Sequence, residues 1–282
     1  MARGGSLRSP IKWFGGKSLL AKRIIDRIPP HVCYVEVFGG AAWVLFRKER
    51  SKSEVYNDLN GDLVNLFEVL RDRQEEFARK AEFLLPNRPE FYRARNEPRE
   101  NLDPVDRALR FFTLIHHSFN CNLRQYKPVR TRAPASVNLD LLRDASKRLQ
   151  KVWIERLDFE ELIRKYDGPD TFFYLDPPYA ELSFASGVYG WKDSEHDRLK
   201  RALAGVQGRF LVSYPDWPRF RNLWNDHHIE AIPTRYRSFR RDGQHRYVDE
   251  LLISNYEPSA SPLLRPAFQE TVVTADDVLL EP

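Results

Sequence analysis

Phe172–Phe173–Tyr174–Leu175–Asp176–Pro177–Pro178–Tyr179 is the stretch on which the reading of this chain turns. The apolar run reads as a buried strand, so the tetrapeptide Asp176–Pro177–Pro178–Tyr179 stands at its carboxyl end. In open α/β sheets that edge is where ligands bind. Two prolines remove backbone donors and stiffen the chain, holding a carboxylate and an aromatic ring in fixed relation. The plain alternative is a strand-ending turn, a common role for Pro and Asp.

Working outward, short β-branched or aromatic runs predict strands over 34–38, 54–57, 153–156, 171–176, 209–213, 228–232 and 250–255. Helical patterns cover 41–48, 62–72, 145–150, 159–166, 194–203 and 217–225. Strands alternating with helices indicate a mostly parallel open sheet of about seven strands, the last of them antiparallel. Residues 64–148 break that rhythm with Arg/Glu-rich helical stretches at 89–95 and 105–118, followed by a basic, Pro-containing loop at 124–134. The expected division is 1–63 and 149–258 as one α/β domain, 64–148 as a helical insertion, and 259–282 as a tail.

The 282 residues hold 18 Phe, 12 Tyr and 6 Trp, ample for a packed core, and the 30% of charged residues is no disorder signature in so aromatic a chain. A net charge of +5 suits a polyanionic partner such as nucleic acid, or simply a soluble basic surface. Cys33 and Cys121 form no CxxC pair, so a disulfide framework is excluded and a zinc site is not expected. With no membrane-length apolar stretch and no apolar leader in residues 1–10, a cytoplasmic location is expected.

The chemistry suggested by Asp176–Pro177–Pro178–Tyr179 concerns an exocyclic amine on a nucleobase. Its lone pair is delocalised into the ring, which makes it a poor nucleophile. The Asp176 carboxylate and Pro177 carbonyl could accept its two N–H bonds and draw the nitrogen toward tetrahedral geometry, while Tyr179 stacks on the base.

Glu36–Val37–Phe38–Gly39–Gly40–Ala41–Ala42 runs from a strand into a helix. Its small residues admit a ligand to the backbone, or serve packing only. It is not GxGxxG, which disfavours a nicotinamide cofactor. Asp58 follows the second strand, where such folds hold ribose hydroxyls; capping the next helix is its other role. Lys12–Trp13–Phe14–Gly15–Gly16–Lys17–Ser18 resembles half a phosphate loop, but Ile11 stands where the first glycine is required and no strand precedes it. The pairs His116–His117 and His227–His228 lack metal-ligand spacing. The Arg-rich stretch 235–246 reads as a phosphate-tracking face or a solvated one.

Together, in chain order, Lys12–Lys17, Glu36–Ala42, Asn57–Asp58, Asp158–Phe159, Asp176–Tyr179 and Glu250–Tyr256 resemble the Dam-type (D12 class) DNA adenine-N6 methyltransferases. Within 64–148, Phe91–Tyr92–Arg93, Arg107–Ala108 with Phe111, and Phe119–Asn120–Cys121–Asn122–Leu123–Arg124 add to it. The resemblance covers about residues 10–256. It implies a Rossmann-like, S-adenosylmethionine-dependent fold with a helical target-recognition insertion, acting on a flipped adenine in double-stranded DNA. Trp13 and Lys17 would meet the methionine end of the cofactor. Glu36, Phe38, Gly39 and Gly40 would form the turn beneath it, Asp58 would hold the ribose, and Asp158 and Phe159 the cofactor's adenine. Asp176, Pro177, Pro178 and Tyr179 would receive the target base. Phe119 would wedge into the duplex, with Asn120, Asn122 and Arg124 near base edges. Arg93, Lys127, Arg130, Arg237 and Arg240 are further expected DNA contacts. Neither a metal nor a membrane is implied, and a monomer or weak dimer is expected.

This chain departs from the family pattern at Ala42, where another glycine is usual, and in its hairpin, where Asn-Gly-Leu-x-Arg becomes Asn120–Cys121–Asn122–Leu123–Arg124. A basic 130–134 segment replaces the usual Phe-Asn-Val-Pro. The rival readings are a methyltransferase acting on RNA, cytosine N4 or protein glutamine, and a DNA-binding module without turnover. No nuclease motif is visible, so a solitary or phage-borne enzyme and half of a restriction system both fit.

Overall fold

The computed structural model describes residues 7–13, 15–84, 87–98, 101–118, 121–127, 137–178, 189–234, 237–239, 245–247 and 249–258. Seven strands make one sheet: β1 (Cys33–Glu36), β2 (Ser53–Asn57), β3 (Val152–Glu155), β4 (Thr171–Leu175), β5 (Arg209–Pro215), β6 (His228–Ile232) and β9 (Glu250–Ser254), in the order β3-β2-β1-β4-β5-β9-β6. Neighbours from β3 to β5 are parallel, and β9 runs antiparallel to both β5 and β6. All seven expected strands are present, including the reversal of the last. A short hairpin, β7 (Arg237–Phe239) with β8 (His245–Tyr247), departs from expectation; it occupies the Arg-rich stretch.

The central strands are buried on both faces, and their side chains alternate between two cores. Tyr34, Tyr56, Phe172 and Tyr174 face one core. It is packed by α1 (Ala21–Ile25), α2 (Trp43–Arg47), α3 (Gly61–Asp72), α4 (Gln74–Glu82), α6 (Pro104–His117) and α7 (Leu139–Leu149). Val35, Val55, Phe173 and Leu175 face the other, beneath α8 (Phe159–Tyr166), α9 (Ser194–Leu203) and α10 (Pro218–Leu223). This period-two division is what a continuous apolar run such as Phe172–Leu175 needs in a strand covered on both sides.

Helices α3 to α7, with α5 (Arg88–Asn96), lie between β2 and β3, as the broken strand–helix rhythm predicts. α3 starts at Gly61, capped by Asn60, whose side chain accepts from Asp62 N and Leu63 N. It packs against α6 and α7 and so joins the sheet to the inserted helices. The sequence pattern does not reveal α1 or α4. α1 has only five residues, and α4 is polar overall, with Phe77, Ala78 and Ala81 as its buried apolar residues.

From β1 the chain moves to β2 and β3 on one side, and β4 and β5 lie on the other. The crevice beyond the carboxyl ends of β1 and β4 is therefore the switch point, where open α/β sheets bind ligands. The turn through Gly39 and Gly40 leaves β1 there, beside Asp176–Pro178 leaving β4.

Candidate active site

A cavity of about 410 Å³ fills this crevice. That lies within the usual range for small-molecule sites, about 300–1,000 Å³. Trp13, Lys17, Glu36, Phe38, Gly39, Gly40, Asp58, Asp158, Phe159, Asp176, Pro177 and Pro178 all line it. Residues from the first turn to the end of the fourth strand thus converge on one cavity. Tyr179 lies outside the described residues.

The floor is the turn after β1. Gly39 packs under the Tyr56 ring: a Cβ there would stand 2.1 Å from Tyr56 Cε2. Gly40 takes a left-handed backbone (φ +49) beneath Trp13. Both glycines therefore have packing or conformational reasons, and both also line the cavity. Ala42 is left-handed as well (φ 54), which explains why glycine suits that position better. The start of α2 does not offer all its donors outward, since Leu45 N–H donates to Glu36 Oε2 (2.9 Å). Glu36 also accepts from Tyr34 OH (2.8 Å). Burial pushes its carboxyl up to about 8, against the pull of those two bonds.

Of the two roles expected for Asp58, the structure excludes capping the next helix. Asn60, not Asp58, caps the following helix. The Asp58 carboxylate accepts from Gly40 N (2.9 Å) and Asn60 N (2.8 Å), tying the two turns together at the cavity wall. The Tyr189 hydroxyl bonds it too and accepts from Trp13 Nε1 (3.2 Å). Burial raises the Asp58 carboxyl to about 6.

Phe38, Phe159 and Trp191 form an aromatic triangle with ring centroids 5.4–5.8 Å apart. Asp158 caps α8 through Glu160 N (3.0 Å) and pairs with Arg198, which also holds Glu160 and Glu195 and lies 4.3 Å over the Phe159 ring. Trp191, Tyr189 and Arg198 belong to the site without any motif in the sequence to mark them. They sit in a polar stretch, where a lone Trp just before a helix is the available signal.

Opposite stands the acid of the opening motif. Asp176 Oδ1 accepts from Lys17 Nζ (2.6 Å) and from Ser213 Oγ (3.0 Å). Lys17 also pairs with Glu250 Oε1 (3.1 Å). Burial opposes its charge, but Asp176 and Glu250 outweigh burial and hold the ammonium protonated, above its ordinary value. Lys17 thus turns inward to carboxylates, in keeping with its rejection as a phosphate-loop lysine.

The expected DNA contacts lie elsewhere. Arg93, on α5, is exposed and pairs with Glu90 (3.3 Å). Asn122 accepts from Arg124 N and Gln125 N and shapes its own loop, while Arg124 and Lys127 are exposed. The loop is closed by a bridge between Ser118 and Tyr126. Cys121 has φ +55, the conformation for which the family pattern uses glycine. Phe119, Asn120, Arg130, Arg240 and the Arg237 side chain lie outside the described residues. Among the described residues no group of three or more His, Cys, Asp or Glu could hold a metal ion, and no helix is long and apolar enough to cross a membrane.

A family model described as D12 class N6 adenine-specific DNA methyltransferase matches residues 13–237. The chain is similar to the DNA adenine methylase of Escherichia coli K12, 28% identical over 270 residues covering 89% of this chain and 96% of that protein. It is 31% identical to the DNA adenine methylase of Serratia marcescens over 187 residues, covering 62% of this chain and 68% of the relative. It is also similar to the type II methyltransferase M.MjaIII of Methanocaldococcus jannaschii, 28% identical over 284 residues covering 87% and 98% of the two chains.

Proposed function

The chain belongs to the D12 class of N6 adenine-specific DNA methyltransferases, and from that premise we propose how its residues divide the work. The donor is S-adenosylmethionine and the acceptor is N6 of an adenine swung out of duplex DNA. The observation that carries this reading is the Asp176 carboxylate, anchored by Lys17 and Ser213 on the wall of the cavity floored by Gly39 and Gly40. Methyltransfer to RNA, to cytosine N4 or to protein glutamine is not favoured by the family.

The cavity suits the donor on three counts. Asp58 offers a buried carboxylate for ribose hydroxyls. Phe38, Phe159 and Trp191 offer ring surface to an adenine. With Glu36 protonated, Asp58, Asp158, Asp176 and Glu195 still outnumber Lys17, Lys192 and Arg198 on the lining, a balance favourable to a cation. When bound, S-adenosylmethionine supplies an electrophilic methyl group on a sulfonium with a neutral leaving group.

Asp176 and the Pro177 carbonyl accept the two N6–H bonds, so the lone pair leaves conjugation with the ring and becomes available to the methyl carbon. A C–N bond would form from that pair as the methyl–sulfur bond breaks with its electrons left on sulfur, and the surplus N6 proton would pass to water afterwards. Because Asp176 stands inside a concave site, an adenine stacked in the duplex cannot reach it, and extrusion is required. Positioning and electrostatics carry the catalysis. Tyr179 stacks on the extruded base, and the inserted helices with the 118–126 loop read the duplex.

Incubation with S-adenosylmethionine and duplex DNA, followed by mass spectrometry of the nucleosides, yields N6-methyladenine. Asp176→Ala binds the cofactor within a few-fold of the parent and loses at least about 10²–10³-fold in turnover, the scale of a lost charge-stabilising group. Parental turnover in that variant refutes the reading.

A further inference from the structure

We propose that Glu250 is a positioning residue for methyl transfer, acting through Lys17 on Asp176. This deepens the preceding reading and rests on it.

β9 is the strand that runs against its neighbours, so its first residue lies where the parallel strands end. Glu250 pairs in register with Pro215, the last residue of β5, and with Ile232, the last of β6. An acid at the start of a reversed strand thereby reaches the ligand edge of the sheet. There its Oε1 lies 3.1 Å from Lys17 Nζ, which also holds Asp176 at 2.6 Å. All three side chains are largely withdrawn from water, at 6% exposure for Lys17, 10% for Glu250 and 18% for Asp176.

The arrangement has an electrostatic consequence. Lys17 and Asp176 alone would form a neutral pair, and the ammonium would oppose any positive charge developing beside it. During transfer, positive charge moves from the sulfonium toward N6, which remains cationic until it sheds its surplus proton. A second carboxylate on the same ammonium gives the three groups together a net charge of about −1 in a low-dielectric setting, where fixed charges act strongly. Glu250 thus lets Asp176 keep its negative field, while Lys17 holds the Asp176 oxygen in place.

Turnover and binding are compared for the parent, Glu250→Gln and Glu250→Asp, with Asp176→Ala as the inactive control. Glu250→Gln keeps an acceptor oxygen for Lys17 and removes only the charge. Its kcat falls about 10–100-fold, less than the loss of a group touching the reacting atoms, while the KM for DNA stays within about threefold. Glu250→Asp, the deciding variant if Glu250→Gln does not fold, loses about three- to tenfold in kcat. In a Lys17→Met background Glu250→Gln costs far less than in the parent, because its route to Asp176 is gone. A readout independent of turnover is the Lys17 ammonium resonance in ¹⁵N-lysine-labelled protein, identified by its loss in Lys17→Met, which shifts in Glu250→Gln. Parental kcat in whichever variant folds, strict additivity with Lys17→Met, a loss confined to KM, or an unmoved Lys17 resonance overturns the proposal. A parent that leaves DNA unmethylated instead removes the functional reading beneath it.

Discussion

The Tyr56 ring occupies the space that any side chain on residue 39 would need, its Cε2 lying 2.1 Å and its Cδ2 2.5 Å from where a Cβ on Gly39 would stand. The ring cannot easily retreat. Tyr56 is fully buried, donates to Gly40 O (2.9 Å) and lies 4.6 Å from Phe67. Gly39→Ala is therefore expected to destabilise by about 1–3 kcal/mol or more, as overpacked cores do. Urea unfolding of Gly39→Ala, Tyr56→Leu and the double variant measures this. The pair should be strongly non-additive, the double variant recovering part of the loss. A Gly39→Ala midpoint equal to the parent's would contradict the packing described.

Glu36 makes stability depend on pH. Burial raises its carboxyl from an ordinary 4.5 to about 8 in the folded protein. The folded state therefore holds this proton more tightly than the unfolded chain. Its contribution to stability is complete below about pH 4.5 and is lost progressively as the pH rises to about 8. A shift of this size corresponds to a few kcal/mol. Glu36→Gln has no such proton, so its stability relative to the parent should improve between about pH 5 and 9. Parallel stability curves for the two proteins over that range would be inconsistent with a buried, protonated Glu36. The cationic cofactor proposed to lie beside Glu36 would favour the ionised form, so parental affinity should tighten as the pH approaches about 8 and that of Glu36→Gln should not.

Arg198 supports the wall proposed to hold the cofactor. It pairs with Asp158, Glu160 and Glu195 and covers Phe159. Arg198→Met keeps an apolar stem and removes the charge that offsets these acids. Cofactor affinity by calorimetry should weaken about tenfold, equivalent to about 1.4 kcal/mol, while kcat at saturating cofactor is retained. Stability should change by about 1 kcal/mol or less because the group is partly exposed. Unaltered affinity would show that the wall does not need the pair.

Ala42 holds a left-handed conformation (φ 54, ψ 38) with its side chain buried. For an L-residue that costs about 1–2 kcal/mol. Glycine removes this strain but adds freedom to the unfolded chain, an opposing effect of about 0.4–1 kcal/mol. Ala42→Gly should thus stabilise by up to about 1 kcal/mol without loss of activity. Ala42→Val, β-branched at positive φ, should destabilise by several kcal/mol. Thermal melts of the two variants test the pair, and equal midpoints would remove the argument.

Much of the fold is legible in the amino-acid order. Phe172–Leu175 announces a doubly covered strand because each of its residues meets a core; β1, β5 and β9 carry comparable runs, whereas the edge strands β3 and β6 are only partly buried. The hairpin of β7 and β8 is hidden because Arg-rich sequence carries no apolar alternation. Within the site, Asp176, Asp58 and the glycine turn are legible from their places at strand ends. Trp191, Tyr189, Arg198 and Ser213 are not, since nothing in their neighbourhoods distinguishes a cavity wall from a solvated helix or a core strand.

By itself the amino-acid order determined which segments are strands, which faces are apolar and where an acid precedes two glycines or two prolines. Those features are local, and burial writes them into neighbouring residues. Only the tertiary structure decided that Lys17, Asp176 and Glu250, from the first turn, the fourth strand and the last, share one cluster of charge. That depends on strand order and on the reversal of β9 against β5 and β6, which are long-range pairings. Their energy lies in contacts between distant segments rather than in any local period, so no window of sequence contains them.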